Sequence, residues 1–144
     1  MRRFSILMLL GVALAGGPAQ AGEPRAATLY KDPQCGCCEA YADHLRESGF
    51  DVTVTPTHHL PQIKRQHGVP SALEGCHTTL VDGYVVEGHV PVATLLRLLT
   101  EKPDIRGISL PGMPAGSPGM SGEKTAPFTI YEIGEGQPRL YAVE

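Results

Sequence analysis

Beyond its first residues, this 144-residue chain has no apolar run long enough to span a bilayer, no internal repeat and no excess of basic charge. A spanning helix needs about 20 apolar residues, so the body of the chain is not expected to enter a membrane. The one apolar run is "FSILMLLGVALAGG", which follows Arg2 and Arg3 and is broken by Gly11, Gly16, Gly17 and Pro18. It is too short and too interrupted for an anchor, and Ala19-Gln20-Ala21 is a small-x-small cleavage site. Residues 1–21 therefore read as a signal peptide, and the mature chain starts near Gly22. Arg2 and Arg3 are two of the 12 Lys+Arg, and no Asp or Glu of the 15 lies in that segment, so the mature chain carries a net charge of −5. Nucleic acid needs a basic face, so it is not an expected partner.

Thiols are also scarce. The chain has four cysteines, and three of them fall within "DPQCGCCEAY", residues 32–41. Around this cluster the pattern is regular. "AATLYKD" (26–32) reads as a strand that ends at Asp32-Pro33. "CCEAYADHLRES" (37–48) reads as a helix with Cys38, Tyr41, Ala42 and Leu45 inward, stopped by Gly49. "FDVTVTPT" (50–57) alternates as a strand. "LPQIKRQHG" (60–68) is a short helix with Pro61 in its first turn. "CHTTLVDGYVVEGHV" (76–90) is a hairpin around Asp82-Gly83. "PVATLLRLLTEK" (91–102) is an amphipathic helix, with Val92, Leu95, Leu96 and Leu99 expected inward and Pro103 as its stop.

The order β-α-β-α-β-β-α, a parallel first pair followed by an antiparallel hairpin, is the thioredoxin-like α/β pattern. It predicts that the end of the first strand lies beside the start of the third, which brings Cys76 to the cluster. Residues 22–104 form this domain. Residues 105–127 are rich in Gly and Pro, with no helical or strand period, and a stretch of that length is usually a functional loop or a linker. "FTIYEIGEGQPRLYAVE" (128–144) reads as a terminal hairpin. Residues 105–144 are thus expected to be a Met-bearing loop and hairpin packed on the same domain.

A cysteine at a helix N-terminus sits near unpaired N–H groups and the positive end of the helix dipole, which favour thiolate. Thiolate both attacks disulfides and binds metal. A dithiol oxidoreductase needs only Cys35 and Cys38, and Cys37 is then a liability. A soft metal gains from every sulfur, so Cys35, Cys37, Cys38 and Cys76 are candidate ligands for Cu(I), zinc or an iron–sulfur cluster. Zinc prefers two spaced pairs, and iron–sulfur clusters usually take four spaced cysteines. Adjacent Cys37-Cys38 suits bridging sulfurs in a polynuclear site. A structural Cys35–Cys38 disulfide remains the plain alternative.

Only two methionines remain in the mature chain, Met113 and Met120, each after Pro-Gly. Neither lies on an amphipathic face, and a thioether is a neutral, Cu(I)-preferring ligand. Among the six histidines, His77 and His89 are second candidates. His77 is expected on the strand face opposite Cys76 unless the backbone kinks. His58, His59 and His67 bracket the second helix as surface or capping residues, and His44 is too far along its helix to share an ion with Cys37.

The segments "YKDPQCGCC", "GVPSALEGCHTTLVDGYVVEGHVP" and "LPGMPAGSPGM" together resemble the CopG-type family of exported bacterial proteins, long catalogued as a domain of unknown function and linked with copper resistance. The resemblance runs from about Tyr30 to Met120. It implies a thioredoxin-like fold, a periplasmic location and copper bound through Cys35, Cys37, Cys38 and Cys76, with Met113 or Met120 as a further sulfur. It allows a multi-copper, sulfur-bridged site with redox activity that interconverts Cu(I) and Cu(II), and other periplasmic copper-handling proteins as partners. The rival reading is a periplasmic thiol–disulfide oxidoreductase.

Overall fold

The structure, a computed structural model, describes residues 23–144. The expected signal peptide lies outside the described residues. Seven strands form one mixed sheet: β1 (Arg25–Lys31), β2 (Phe50–Pro56), β3 (His77–Val81), β4 (Tyr84–Glu87), β5 (Gly107–Ser109), β6 (Thr129–Ile133) and β7 (Arg139–Val143), in the spatial order β2-β1-β3-β4-β5-β6-β7. Three helices join them: α1 (Gly36–Glu47), α2 (Leu60–Gln66) and α3 (Val92–Glu101). A 3₁₀ turn spans Ser71–Leu73. None of the helices among the described residues is long and apolar enough to cross a membrane.

β1 and β2 run parallel, and β3 lies antiparallel to both β1 and β4. The β3–β4 turn is the Asp82-Gly83 pair, and both residues have positive φ, 48° and 84°. That left-handed pair matches the right-handed twist of the strands it joins. Gly49, with φ at 90°, ends α1 as expected.

Side chains alternate across the sheet and feed two apolar layers. Leu29 of β1, Val86 of β4, and Ile108 and Ile130 of the later strands pack with Tyr41 and Leu45 of α1 and with Leu95, Leu98 and Leu99 of α3. Val85 and Ile133 pack on the opposite face with Val69 and Leu73. Cys38, Tyr41, Ala42 and Leu45 are the buried face of α1, as their spacing predicted.

Two expectations are corrected. In α3 the buried residues are Thr94, Leu95, Leu98 and Leu99, and Leu96 is 41% exposed. The run of leucines made the apolar stripe ambiguous by one residue: Thr94 and Leu98 are buried and Leu96 is not, while Val92 packs partly buried against the core as expected. The stretch 105–127 also contains a strand. β5 pairs parallel with β4 and antiparallel with β6, so it joins the terminal hairpin to the same sheet. Its three residues are too few to show a period. A Cβ on Gly107 would stand 1.8 Å from the Val85 carbonyl oxygen, so close pairing there requires glycine.

The α3 correction is testable by chemical denaturation. Leu98→Ala should cost about 2–5 kcal/mol, as for deletion of a packed core side chain. Leu96→Ala should cost less than about 1 kcal/mol. The reverse order would restore the stripe read from the sequence.

Candidate metal centre

The site forms where β1 ends. The Asp32 side chain accepts a 2.9 Å bond from the Gln34 N–H, and the Asp32 carbonyl accepts one from the Cys35 N–H at 3.0 Å. This turn sets Cys35 at the N-cap of α1 and Cys37 and Cys38 in its first turn. The N-terminal N–H groups of a helix have no partner within it, so these sulfurs sit in a positive field. Lys31, almost fully buried, braces the turn. Its Nζ contacts the Glu39 carboxylate at 3.0 Å and donates to the Pro33 carbonyl at 3.4 Å.

Cys76 arrives from the other side. In the β1–β3 register Lys31 stands opposite His77, so the residue before β3 lies level with the start of α1. The Cys38 and Cys76 sulfurs are 3.6 Å apart and those of Cys35 and Cys37 3.4 Å. All four sulfurs lie within 4.8 Å of one another. Cys35 and Cys38 are joined as a disulfide, while Cys37 and Cys76 are free thiols.

The two histidines complete a second group on the same cysteine. His89 Nε2 is 2.9 Å and His77 Nδ1 is 3.3 Å from the Cys76 sulfur. The expectation that His77 faces away from Cys76 is therefore corrected. β3 begins at His77, so strand alternation does not extend to Cys76. His77 lies against Tyr41, with ring centroids 4.7 Å apart, and against His89 at 4.8 Å. Its Nε2 is buried without a hydrogen-bond partner. His89 Nδ1 is 2.6 Å from the Pro118 carbonyl. A carbonyl can only accept, so Nδ1 carries the proton and Nε2 presents its lone pair to Cys76.

Burial sets the protonation states. Desolvation, together with the nearby Cys37 thiol, raises the Cys76 pKa to about 12. Burial lowers the pKa of both histidines, and for His77 repulsion from His89 and Lys64 adds to it. Without a cation the pocket thus holds a neutral thiol and neutral imidazoles. A bound cation would reverse the balance for sulfur and displace the thiol proton to solvent.

The Gly/Pro-rich loop reaches this site. Besides the bond from His89 to Pro118, a Cβ on Gly119 would meet the Tyr41 nitrogen at 2.6 Å and the Cys37 carbonyl oxygen at 3.0 Å. The loop backbone therefore lies directly on the first turns of α1. Met120 follows that contact and is half-buried. Met113 is 56% exposed and follows Gly112, which bridges Gly75. His58 and His59 are exposed, and His59 and His67 occupy the ends of α2.

Sequence reasoning missed three members of the site: the Tyr41 ring as its wall, the Pro118 carbonyl, and a buried Lys64–Glu87 ion pair beneath Cys76. A carbonyl leaves no trace in residue identity. Lys64 in "QIKRQ" looks like any solvent-facing helical lysine.

A family model described as "Protein of unknown function, DUF411" matches residues 73–120. Two solved structures titled "Copper resistance protein copG", Form 2 and Form 1, are each 39% identical to this chain. They superpose with TM-scores of 0.78 and 0.77, over 85% of this chain and 99% and 98% of theirs. Among curated proteins none matches.

The loop contact is open to limited proteolysis. Gly119→Ala places a methyl against α1 at a position where φ is 79°. It should speed cleavage within residues 113–125 several-fold in the metal-free protein. An unchanged cleavage rate would mean that Gly119 does not hold the loop down.

Proposed function

The chain belongs to the CopG copper-resistance family, and we propose that it is a periplasmic copper-binding protein serving copper tolerance, taking Cu(I) through Cys35, Cys37, Cys38 and Cys76. The observation that carries this reading is the convergence of four sulfurs within 4.8 Å from two segments 38 residues apart. Soft thiolates favour Cu(I), and so many in one place exceed what a dithiol reaction uses. The donor set fits copper further through His77 and His89, which share Cys76 with the sulfur group. Neutral imidazole accepts either copper oxidation state, so a mixed sulfur–nitrogen set supports interconversion of Cu(I) and Cu(II). Met120 and Met113 are the thioethers available on the covering loop.

All four sulfurs become ligands only after the Cys35–Cys38 disulfide takes up two electrons and two protons. The same cysteines can therefore store electrons or hold metal. The periplasmic location rests on the signal peptide expected at residues 1–21 and on the family. The acidic chain and its exposed loop leave other copper-handling proteins of that compartment as the expected partners.

One observation favours a second reading. A disulfide at a helix N-terminus with a third sulfur at 3.6 Å is also the arrangement of a thiol–disulfide oxidoreductase.

Anaerobic titration of the reduced protein with Cu(I), followed by copper and thiol analysis, separates the two. Cys37→Ser should cut copper stoichiometry or weaken Cu(I) binding by at least about tenfold, as expected for loss of a ligand. If the protein is an oxidoreductase, Cys37→Ser should bind copper like the wild type, and Cys35→Ser should abolish disulfide reduction in insulin.

A further inference from the structure

A buried ion pair sits beneath the site on the opposite face of the sheet. Glu87 is fully buried, and Lys64 of α2 is 4% exposed. Glu87 Oε1 accepts from Lys64 Nζ and, at 2.7 Å, from the Gly75 N–H. Its Oε2 accepts from the Thr78 hydroxyl at 2.7 Å, and Lys64 also donates to that hydroxyl at 3.2 Å. Burial raises the Glu87 pKa, and Lys64 opposes that rise.

Stability does not account for such a pair. Removing two charges from water is costly, and apolar residues of similar volume often replace a buried pair without loss. What the pair does provide is position. Gly75 precedes Cys76, Thr78 follows His77, and Glu87 stands two residues before His89. The two backbones are pressed together at this level: a Cβ on Gly75 would lie 2.7 Å from the Gly88 Cα. The Gly88 N–H continues the ladder to the His77 carbonyl at 3.1 Å. Among the bonds that tie the Cys76 end of β3 to the His89 end of β4, those from the Gly75 N–H and the Thr78 hydroxyl both end on the Glu87 carboxylate. The bond from the Gly75 N–H fixes the Glu74–Gly75 peptide, immediately ahead of Cys76, whose sulfur lies 2.9 Å from His89 Nε2.

We infer that Glu87, oriented by Lys64 and Thr78, is a positioning residue that clips the Cys76-bearing segment to the His89-bearing one and so sets the geometry of the metal site. The inference rests on the copper reading for its functional meaning. Its geometric content stands without metal.

Two double variants isolate the acceptor from the charge. Lys64→Met with Glu87→Gln is neutral and keeps an oxygen for the Gly75 N–H. Lys64→Met with Glu87→Met is neutral and removes it. Cu(I) affinity is measured by competition with a chromophoric chelator. In the metal-free protein, Cys76 alkylation by iodoacetamide is followed by peptide mass mapping.

The Gln variant should stay within about threefold of the wild type in both readouts. The Met variant should bind Cu(I) about 10- to 100-fold more weakly, the usual cost of losing a group that holds a ligand, and its Cys76 should alkylate several-fold faster. Equal behaviour of the two variants in both readouts would overturn the inference. If the Met variant does not fold, the Gln variant decides: near-wild-type values support the role, and a tenfold loss contradicts it. If wild-type protein binds no Cu(I), the copper reading fails, and alkylation alone judges the positioning role.

Discussion

The antiparallel pairing of β1 with β3, with Lys31 opposite His77, is the constraint on which the site depends. It brings Cys76 level with the first turn of α1, where the other three cysteines lie. A shift of one residue in this register would turn His77 and Val81 away from the layer they share with α1. The apolar layer thus enforces the register, and the register assembles the sulfurs. Val81, Leu29 and Leu45 serve the centre from the layer behind it, and Tyr41 of the same layer forms its wall.

On that frame, the site combines groups whose preferences conflict in the absence of metal. A helix N-terminus favours thiolate, and burial opposes it. For Cys76 burial prevails, and its thiol stays protonated. The neighbouring imidazoles stay neutral for the same reason. A bound cation would satisfy all of them together, because it would offset the desolvation of each donor. The Pro118 carbonyl adds orientation by fixing the His89 tautomer. The loop is therefore part of the site through its backbone.

Much of this was legible in the sequence, because the early elements are strongly periodic. The strand order, the Asp82-Gly83 turn, the inward face of α1 and the approach of Cys76 all followed from pattern and turn chemistry. What was illegible has physical reasons. β5 is too short for periodicity. In α3, adjacent leucines left the stripe free to rotate by one residue, and packing chose Leu98 over Leu96. His77 escaped the strand rule because the strand starts at His77 itself. Lys64 and Glu87 meet only through the packing of α2 over β3 and β1, and no local signal marks a lysine that will be buried.

The central claim is that the cysteines act as a metal centre and not merely as a redox pair. X-ray absorption at the copper K-edge, on reduced protein loaded with Cu(I), reads this directly. The account predicts a first shell dominated by sulfur, and bridging thiolates would add a short copper–copper distance. A shell of nitrogen and oxygen alone, with the Cys35–Cys38 disulfide re-formed and the sulfurs unligated, would contradict it.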